Sequence, residues 1–175
     1  YGQYLRNGFY RSRINTQTQQ ALLEFNDGRS AQAGYTYIGA YNGHSYFRSN
    51  SSVEWENQRN TAIAIGGYLA NITSAGEREY LNSVLPNNWY WVGLYQDVND
   101  PDYSEPAGGW EWVTGEPLSF LNWGAMAHSP GMFNWMSVEN YAEITRDDAT
   151  NTLGVWNDRR VESSLRHVLE KSSSL

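Results

Sequence analysis

The stretch WEWVTGEPL, residues 110–118, decides the fold of this chain together with its flanks. Its tryptophan-rich beginning predicts a short β-strand over residues 110–113. From residue 114 to about residue 138 the sequence signals little regular structure, although tryptophan and phenylalanine recur there. Loops of this length inside a compact domain are uncommon and usually functional, so this segment is the first place to look for a binding surface.

Regular elements are predicted on both sides of this loop. Strands are expected over residues 69–72, 89–94, 141–145, 153–156 and 161–169. Asn42-Gly43 lies between tyrosine-rich segments and predicts a β-hairpin turn. Ser52 is expected to cap a helix over residues 53–65, and Thr73 or Ser74 to cap a second one, with Glu77 completing a capping box. The chain is therefore predicted to be of the α+β class.

Composition narrows the possible functions. The 175 residues fit one domain of ordinary size, and the net charge of -7 argues against a nucleic-acid partner. No apolar run reaches the ~18–20 residues that a membrane span needs, so direct membrane insertion is not expected. The absence of cysteine excludes disulfides and thiolate metal sites. The sequence lacks a nucleophile elbow, a phosphate loop and a His-Glu-x-x-His motif, so we expect no enzyme.

A series of motifs, in order along the chain, resembles those of a C-type lectin-like domain, and the resemblance covers roughly residues 39–170. It implies two helices, small antiparallel sheets and a long irregular loop. We accordingly predict an N-terminal extension or linker from a larger protein (1–34), the domain itself (35–171) and a tail (172–175). The motifs are Gly43-His44-Ser45-Tyr46-Phe47, Gly66-Gly67-Tyr68-Leu69-Ala70-Asn71-Ile72, Trp91-Val92-Gly93-Leu94, residues 110–118 with Asn122-Trp123, Glu139-Asn140-Tyr141-Ala142-Glu143-Ile144, and Trp156-Asn157-Asp158.

The family typically carries two disulfides, which this chain lacks. The resemblance places Ala62 and Leu169 where one cysteine pair would lie, and Tyr141 and Val161 where the other would lie. All four are apolar or aromatic, so we expect packing to replace the buried cross-links.

The resemblance also implies a calcium site that bridges protein and sugar, with Glu139, Asn157 and Asp158 as the primary candidate ligands. Calcium takes oxygen ligands, which these side chains supply. The family's Glu-Pro-Asn triplet is missing, because Pro130 is flanked by Ser129 and Gly131. His128, Asn134 and Trp135 of the same loop are candidates to contact the ligand. The alternative interpretation is structural, with Trp156 in the core and Asn157-Asp158 forming a turn.

An acidic loop is the secondary metal candidate. Asp97, Asp100, Asp102 and Glu105 follow one another closely, and Asn140 could reach them from a neighbouring strand. The region corresponds to one where the family often holds an auxiliary calcium ion, but a plain solvated loop explains the residues equally well.

The resemblance implies an extracellular or cell-surface recognition module that binds carbohydrate with the help of Ca²⁺, within a larger secreted or surface adhesion protein. Its partner would be a glycan or a surface protein. The alternative is a calcium-independent protein-binding or structural domain that uses the methionine- and tryptophan-rich loop. Ice or mineral-surface binding is a third, more remote alternative.

Overall fold

The computed structural model describes residues 32–105, 108–124, 139–147 and 152–172. Within these ranges it has two helices and eight strands. In chain order they are β1 (Tyr35–Tyr41), β2 (His44–Ser49), α1 (Trp55–Ala64), β3 (Tyr68–Leu69), α2 (Ala75–Val84), β4 (Tyr90–Gln96), β5 (Trp110–Trp112), β6 (Tyr141–Asp147), β7 (Thr152–Arg159) and β8 (Arg166–Ser172).

The strands follow the order β1-β2-β8-β4-β6-β7, with β3 paired to β8 and β5 paired to β4. The hairpins are antiparallel as predicted, but β4 and β8 pair in parallel through Tyr90–Arg166 and Trp91–His167. This pairing joins the two predicted small sheets, so the sheet is mixed rather than purely antiparallel. The last strand ends at Ser172, one residue beyond the predicted domain boundary.

The predicted hairpin turn is confirmed. Asn42 and Gly43 have φ angles of 47° and 83°, and they join β1 to β2 at the Tyr41–His44 pair. Two consecutive residues with positive φ match the right-handed twist of the flanking strands, a conformation that Asn-Gly adopts readily.

The second predicted helix cap is confirmed, whereas the first is wrong. The Ser74 hydroxyl accepts a hydrogen bond from the Glu77 backbone N–H at 3.2 Å, and the Glu77 carboxylate accepts one from the Thr73 N–H at 2.9 Å. The first helix instead starts at Trp55, with Glu54 in the cap position and no side-chain cap bond. Val53 cannot join the helix because it pairs with Leu165 in an isolated β-bridge.

Several predicted strand bounds were also wrong. Strand β3 has only two residues, and the last strand begins at Arg166 rather than at residue 161. Val161 lies in the turn that precedes it and is 41% exposed. The residues at the two expected cysteine pairs therefore differ in how they are packed. Ala62 and Leu169 are fully buried in one core cluster, as expected, whereas Val161 replaces no buried cross-link.

Two hydrophobic clusters form the core. One contains Phe47, Trp55, Trp91 and Leu169, and the other contains Trp112 and Trp156 with the apolar side of α2. Trp156 is fully buried, as its structural interpretation predicted. Its backbone N–H and carbonyl bond to Asn122 and Gly124, so the segment after β5 is held against β7. The candidate site residues lie around the ends of β6 and β7, on this core.

Candidate functional site

Strand pairing places two of the three primary candidates on opposite faces of β7. In the antiparallel β6–β7 ladder, Asn157 lies opposite Glu143 and Asp158 lies opposite Ala142. Successive side chains of a strand point to opposite faces of the sheet. Asn157 therefore shares a face with Glu143, whereas the buried Asp158 side chain lies on the other face.

The Asn157 amide has a fixed orientation. Its Nδ2 donates to Glu143 Oε1 at 3.2 Å and to the Asp158 backbone carbonyl at 2.7 Å. With both amide hydrogens used inside the protein, the Oδ1 atom is the end left for a ligand. Asn157 can therefore act as an acceptor for a hydroxyl group or as an oxygen ligand.

Glu143 is a buried carboxylate that the sequence did not identify as a site residue. It is 1% exposed, and its Oε1 lies 2.8 Å from the Nε of Arg159. Burial raises the pKa of Glu143 to about 7, against the opposing effect of the Arg159 charge and the hydrogen bonds. Its second oxygen, Oε2, has no hydrogen-bond partner among the described residues. The sequence signals for it were its place in the motif over residues 139–144 and a charge two positions after the start of a predicted strand.

Glu139, the third primary candidate, precedes β6 and pairs with a cation of the protein itself. Its Oε1 lies 3.4 Å from the Nε of Arg160, and both side chains are partly exposed. The guanidinium therefore occupies one side of the Glu139 carboxylate, which a metal ion at this site would need as a ligand. Sequence reasoning did not consider this arginine.

The residues as placed do not fit a ready-made calcium site. Calcium takes 6–8 oxygen ligands that converge on one point. Here Asn157 and Asp158 diverge, and Glu139 is engaged by Arg160. Across the described ranges, no group of three or more His, Asp or Glu side chains is arranged to hold a metal ion. Calcium binding by these residues stays a prediction.

The carboxylates of the acidic loop accept hydrogen bonds from other groups of the same loop. Asp97 Oδ1 accepts from the Asn99 N–H at 2.8 Å, and Asp100 Oδ1 accepts from the Asp102 N–H at 2.6 Å. The Tyr103 hydroxyl donates to Glu105 at 2.9 Å. These contacts agree with the solvated-loop interpretation, and metal binding by the loop stays a prediction.

Asn140, predicted to reach the acidic loop, does lie beside its start. The Asn140 carbonyl accepts from the Gln96 N–H at 2.8 Å, and Asp97 follows Gln96 directly. The side-chain oxygen of Asn140 is buried and has no partner among the described residues. The other three ligand candidates, His128, Asn134 and Trp135, lie outside the described residues.

A surface aromatic lies next to the Glu143 cluster. Trp89, just before β4, is 47% exposed, and the Cζ of Arg159 lies 4.3 Å from its ring centroid. Among the described residues it is the only aromatic side chain in the exposed class. The sequence assigned Trp89 to the strand and gave no sign of its exposure.

A polar cleft of about 130 Å³ forms a second cluster, on the opposite part of the sheet. The Tyr46 hydroxyl donates to Glu77, and the Tyr68 hydroxyl donates to Glu170, each at 2.7 Å. Burial raises the pKa of Glu170 to about 8. Asn71 Nδ2 donates to Glu116 at 2.7 Å. Residues from four separate segments of the chain line the cleft, so no local sequence pattern predicts it.

The comparisons with known proteins identify the class. The family model of the Lectin C-type domain matches residues 51–168, so the chain belongs to this family. Members of the family are generally binding modules rather than enzymes. In the described ranges, no helix is long and apolar enough to cross a membrane.

Individual relatives agree with this assignment. The chain is 31% identical to lectin BRA-3 of Megabalanus rosa over 124 residues, which cover 67% of the chain and 65% of that protein. It resembles the structure of a calcium-independent type II antifreeze protein with a TM-score of 0.63 and 19% identity, covering 82% of the chain and 95% of that structure. It also resembles the carbohydrate-recognition domain of cow CD23, solved with GlcNAc2Man3 oligosaccharide, with a TM-score of 0.63 and 20% identity, covering 83% and 98%.

The chain spans less than two thirds of the length of the first relatives it matches. The covered share is 1% of halomucin from Haloquadratum walsbyi, 19% of the CD209 antigen of Symphalangus syndactylus and 65% of lectin BRA-3. These two solved structures share 19% and 20% identity with it and establish the fold alone.

Proposed function

We propose that the chain is a carbohydrate-recognition module that binds glycans without chemical turnover. It works outside the cell or at the cell surface, as part of a larger adhesion protein. The observation that carries the proposal is the match of residues 51–168 to the C-type lectin family, together with relatives that are themselves lectins. Single sites of this kind bind weakly, so several copies in the parent protein would supply avidity.

The described side chains around β6 and β7 suit sugar hydroxyls. Glu139, which is partly exposed, offers carboxylate oxygens, and Asn157 offers its Oδ1 because its Nδ2 is bound internally. Hydroxyls donate to such acceptors, while arginine N–H groups donate to hydroxyl oxygens. We predict that His128, Asn134 and Trp135 add contacts from the loop between β5 and β6.

Calcium assistance at Glu139, Asn157 and Asp158 remains part of the proposal. An auxiliary ion would be held by Asp97, Asp100, Asp102, Glu105 and Asn140. Both ligand sets rest on the family resemblance. For the first set, Arg160 would have to release Glu139, and the two strand residues would have to converge.

Calcium-independent recognition, of a glycan or of a surface protein, is the second candidate function. The Arg160–Glu139 ion pair and the internal bonds of Asn157 favour it, because they satisfy the charge and the amide without a metal. One solved structure of similar fold is described as calcium-independent. This supports the idea that the fold can form without the ion.

Co-sedimentation with insoluble polysaccharides tests the proposal. The whole chain is mixed with chitin, mannan or cellulose, in millimolar calcium or in EDTA. Retention by one of them, reversed by the free sugar, is expected. Retention lost in EDTA and in Glu139→Ala supports calcium assistance, and retention kept in EDTA supports the second candidate. No retention on any polysaccharide, combined with capture by a purified surface protein, would replace the glycan proposal.

A further inference from the structure

Trp89 presents an unusual aromatic surface. Its indole ring is almost half exposed, and the Arg159 guanidinium lies over one face at 4.3 Å. Tryptophan rings at surfaces pair an apolar face with a polar edge and are enriched where proteins bind ligands and partners. The other described aromatic side chains are at least partly buried in the domain.

Arg159 is held in this position from behind. Its Nε lies 2.8 Å from Glu143 Oε1, a carboxylate that is buried beneath it. The guanidinium carries further N–H groups on its two Nη nitrogens, next to the Trp89 ring. These groups are donors fixed beside the indole ring.

The same carboxylate orients Asn157. Glu143 Oε1 also accepts the Asn157 amide at 3.2 Å, and Glu143 faces both Asn157 on β7 and Trp91 on β4 across the sheet. Trp89 lies just before β4, and its ring reaches the Arg159 side chain that Glu143 contacts. One buried group thus contacts both the arginine that lies over the exposed aromatic ring and Asn157, two residues before that arginine on β7.

Stability alone does not account for this arrangement. A buried carboxylate with one unpartnered oxygen destabilises a fold, and such groups in native structures call for an explanation. An exposed cation–π pair contributes only about 0.5–1 kcal/mol in return. Instead, the buried Glu143 carboxylate holds Arg159 and Asn157 in fixed positions at the surface.

Resting on the proposed carbohydrate recognition, we propose that Trp89, Arg159 and Asn157 form a calcium-free subsite for one pyranose ring, with Glu143 as its positioning residue. The C–H face of the sugar lies on the free part of the indole. Its rim hydroxyls accept from the Arg159 Nη groups and donate to Asn157 Oδ1. The subsite needs no metal, because every charge in it is balanced within the protein.

Binding to chitin, mannan and cellulose in EDTA tests the subsite, with the whole chain and three variants. Trp89→Ala removes the ring and should weaken retention about tenfold or more, as the loss of an interface anchor does. Arg159→Met keeps the apolar stem but removes the donors, and a similar loss is expected. Ile63→Ala is the control, since Ile63 is also exposed, at 58%, but lies on α1.

The outcomes separate this inference from the proposed function. If the chain binds glycan only with calcium and Trp89→Ala binds as tightly as the unmodified chain, the subsite is refuted while carbohydrate recognition stands. If the unmodified chain retains no glycan in either condition, both fail together. Binding in EDTA that Trp89→Ala and Arg159→Met leave unchanged also overturns the subsite.

The positioning role of Glu143 has its own readout. Ring currents from Trp89 should shift the side-chain proton resonances of Arg159 upfield in NMR spectra. Glu143→Leu should abolish that shift and weaken glycan retention, whereas Glu143→Gln, which keeps an acceptor for Asn157, should retain part of both. If Glu143→Leu leaves the Arg159 resonances in place, Glu143 does not position the arginine. If Glu143→Leu does not fold, Glu143→Gln is compared with the unmodified chain instead. An Arg159 shift that is the same in both proteins would overturn the positioning role.

Discussion

Tyr141 stacks on Trp55, with ring centroids 4.5 Å apart and planes inclined by 28°. The Tyr141 hydroxyl donates to Glu56 at 2.9 Å, so the first residue of β6 is joined to helix α1. The family resemblance implies a cysteine at this position, and here an aromatic contact fixes β6 to the core. Its predicted partner, Val161, does not take part, because it lies exposed in a turn.

Removing this stack should destabilise the domain. Tyr141→Ala deletes the ring that covers Trp55, and such truncations lower the free energy of unfolding by about 3–5 kcal/mol. Val161→Ala, at the other former cysteine position, should stay within about 0.5 kcal/mol of the unmodified chain. Chemical denaturation measures both. An equal loss in the two variants would show that Val161 is packed after all.

Arg160 should compete with calcium for Glu139. Its guanidinium lies 3.4 Å from the carboxylate, so Arg160→Ala removes the nearest positive charge. A ligand that binds the folded state raises the melting temperature. Calcium should therefore raise the Tm of Arg160→Ala more than that of the unmodified chain, measured by thermal unfolding against EDTA.

The matched control for this experiment is Arg78→Ala. Arg78 forms a comparable ion pair with Glu79, at 3.3 Å on helix α2. Its removal should leave the calcium response unchanged. An equal response in all three proteins would show that Glu139 takes no part in calcium binding.

Helix capping distinguishes a correct sequence prediction from a wrong one. Ser74→Ala removes the acceptor for the Glu77 N–H and should lower the free energy of unfolding by about 1 kcal/mol. Ser52→Ala, at the other predicted cap, should change it by less than about 0.5 kcal/mol, since helix α1 starts after Glu54. Denaturant titration of both variants is the measurement, and a larger effect at Ser52 would contradict the structure.

These two serines show which parts of the fold are predictable from sequence. The Ser74 cap depends on residues within one helical turn, so local sequence suffices to find it. The first helix is shortened by a contact between residues far apart in the chain, because the Val53 N–H donates to the Leu165 carbonyl at 3.1 Å. The parallel pairing of β4 with β8 is likewise non-local. The ordered set of motifs nevertheless predicted the family, because each motif marks a core position.

The candidate site was less predictable, for the same reason. The sequence identified Asn157 and Asp158, but their divergence follows from the regular β6–β7 register. Glu143 and Arg159 meet only because their strands pair, and the 47% exposure of Trp89 depends on how the other elements pack around it. No pattern along the chain encodes these contacts.

Stability should fall as the pH rises from about 4.5 to 8. Burial raises the pKa of Glu143 to about 7 and that of Glu170 to about 8, above the ordinary value of 4.5. The folded state therefore binds more protons than the unfolded state in this range, and stability present below pH 4.5 is lost as the pH rises through these values. Glu170→Gln should flatten the decline.

Below pH 4.5 the slope should reverse because of His167. This side chain is fully buried, and burial lowers its pKa from 6.5 to about 3. The unfolded state then binds the extra proton, so stability falls as the pH drops from 6.5 towards 3. Between 4.5 and 6.5 the two carboxylates outweigh the one imidazole. Denaturant titrations across this range measure the curve, and a stability that rises steadily from pH 5 to 8 would contradict these burial effects.

A glycan array probed with the whole chain, once in calcium and once in EDTA, tests carbohydrate recognition most directly. The account predicts that at least one class of glycan is bound above background and that the free sugar competes for it. Multivalent presentation on the array should compensate for a weak single site. A folded chain that binds no glycan in either condition would contradict the central claim.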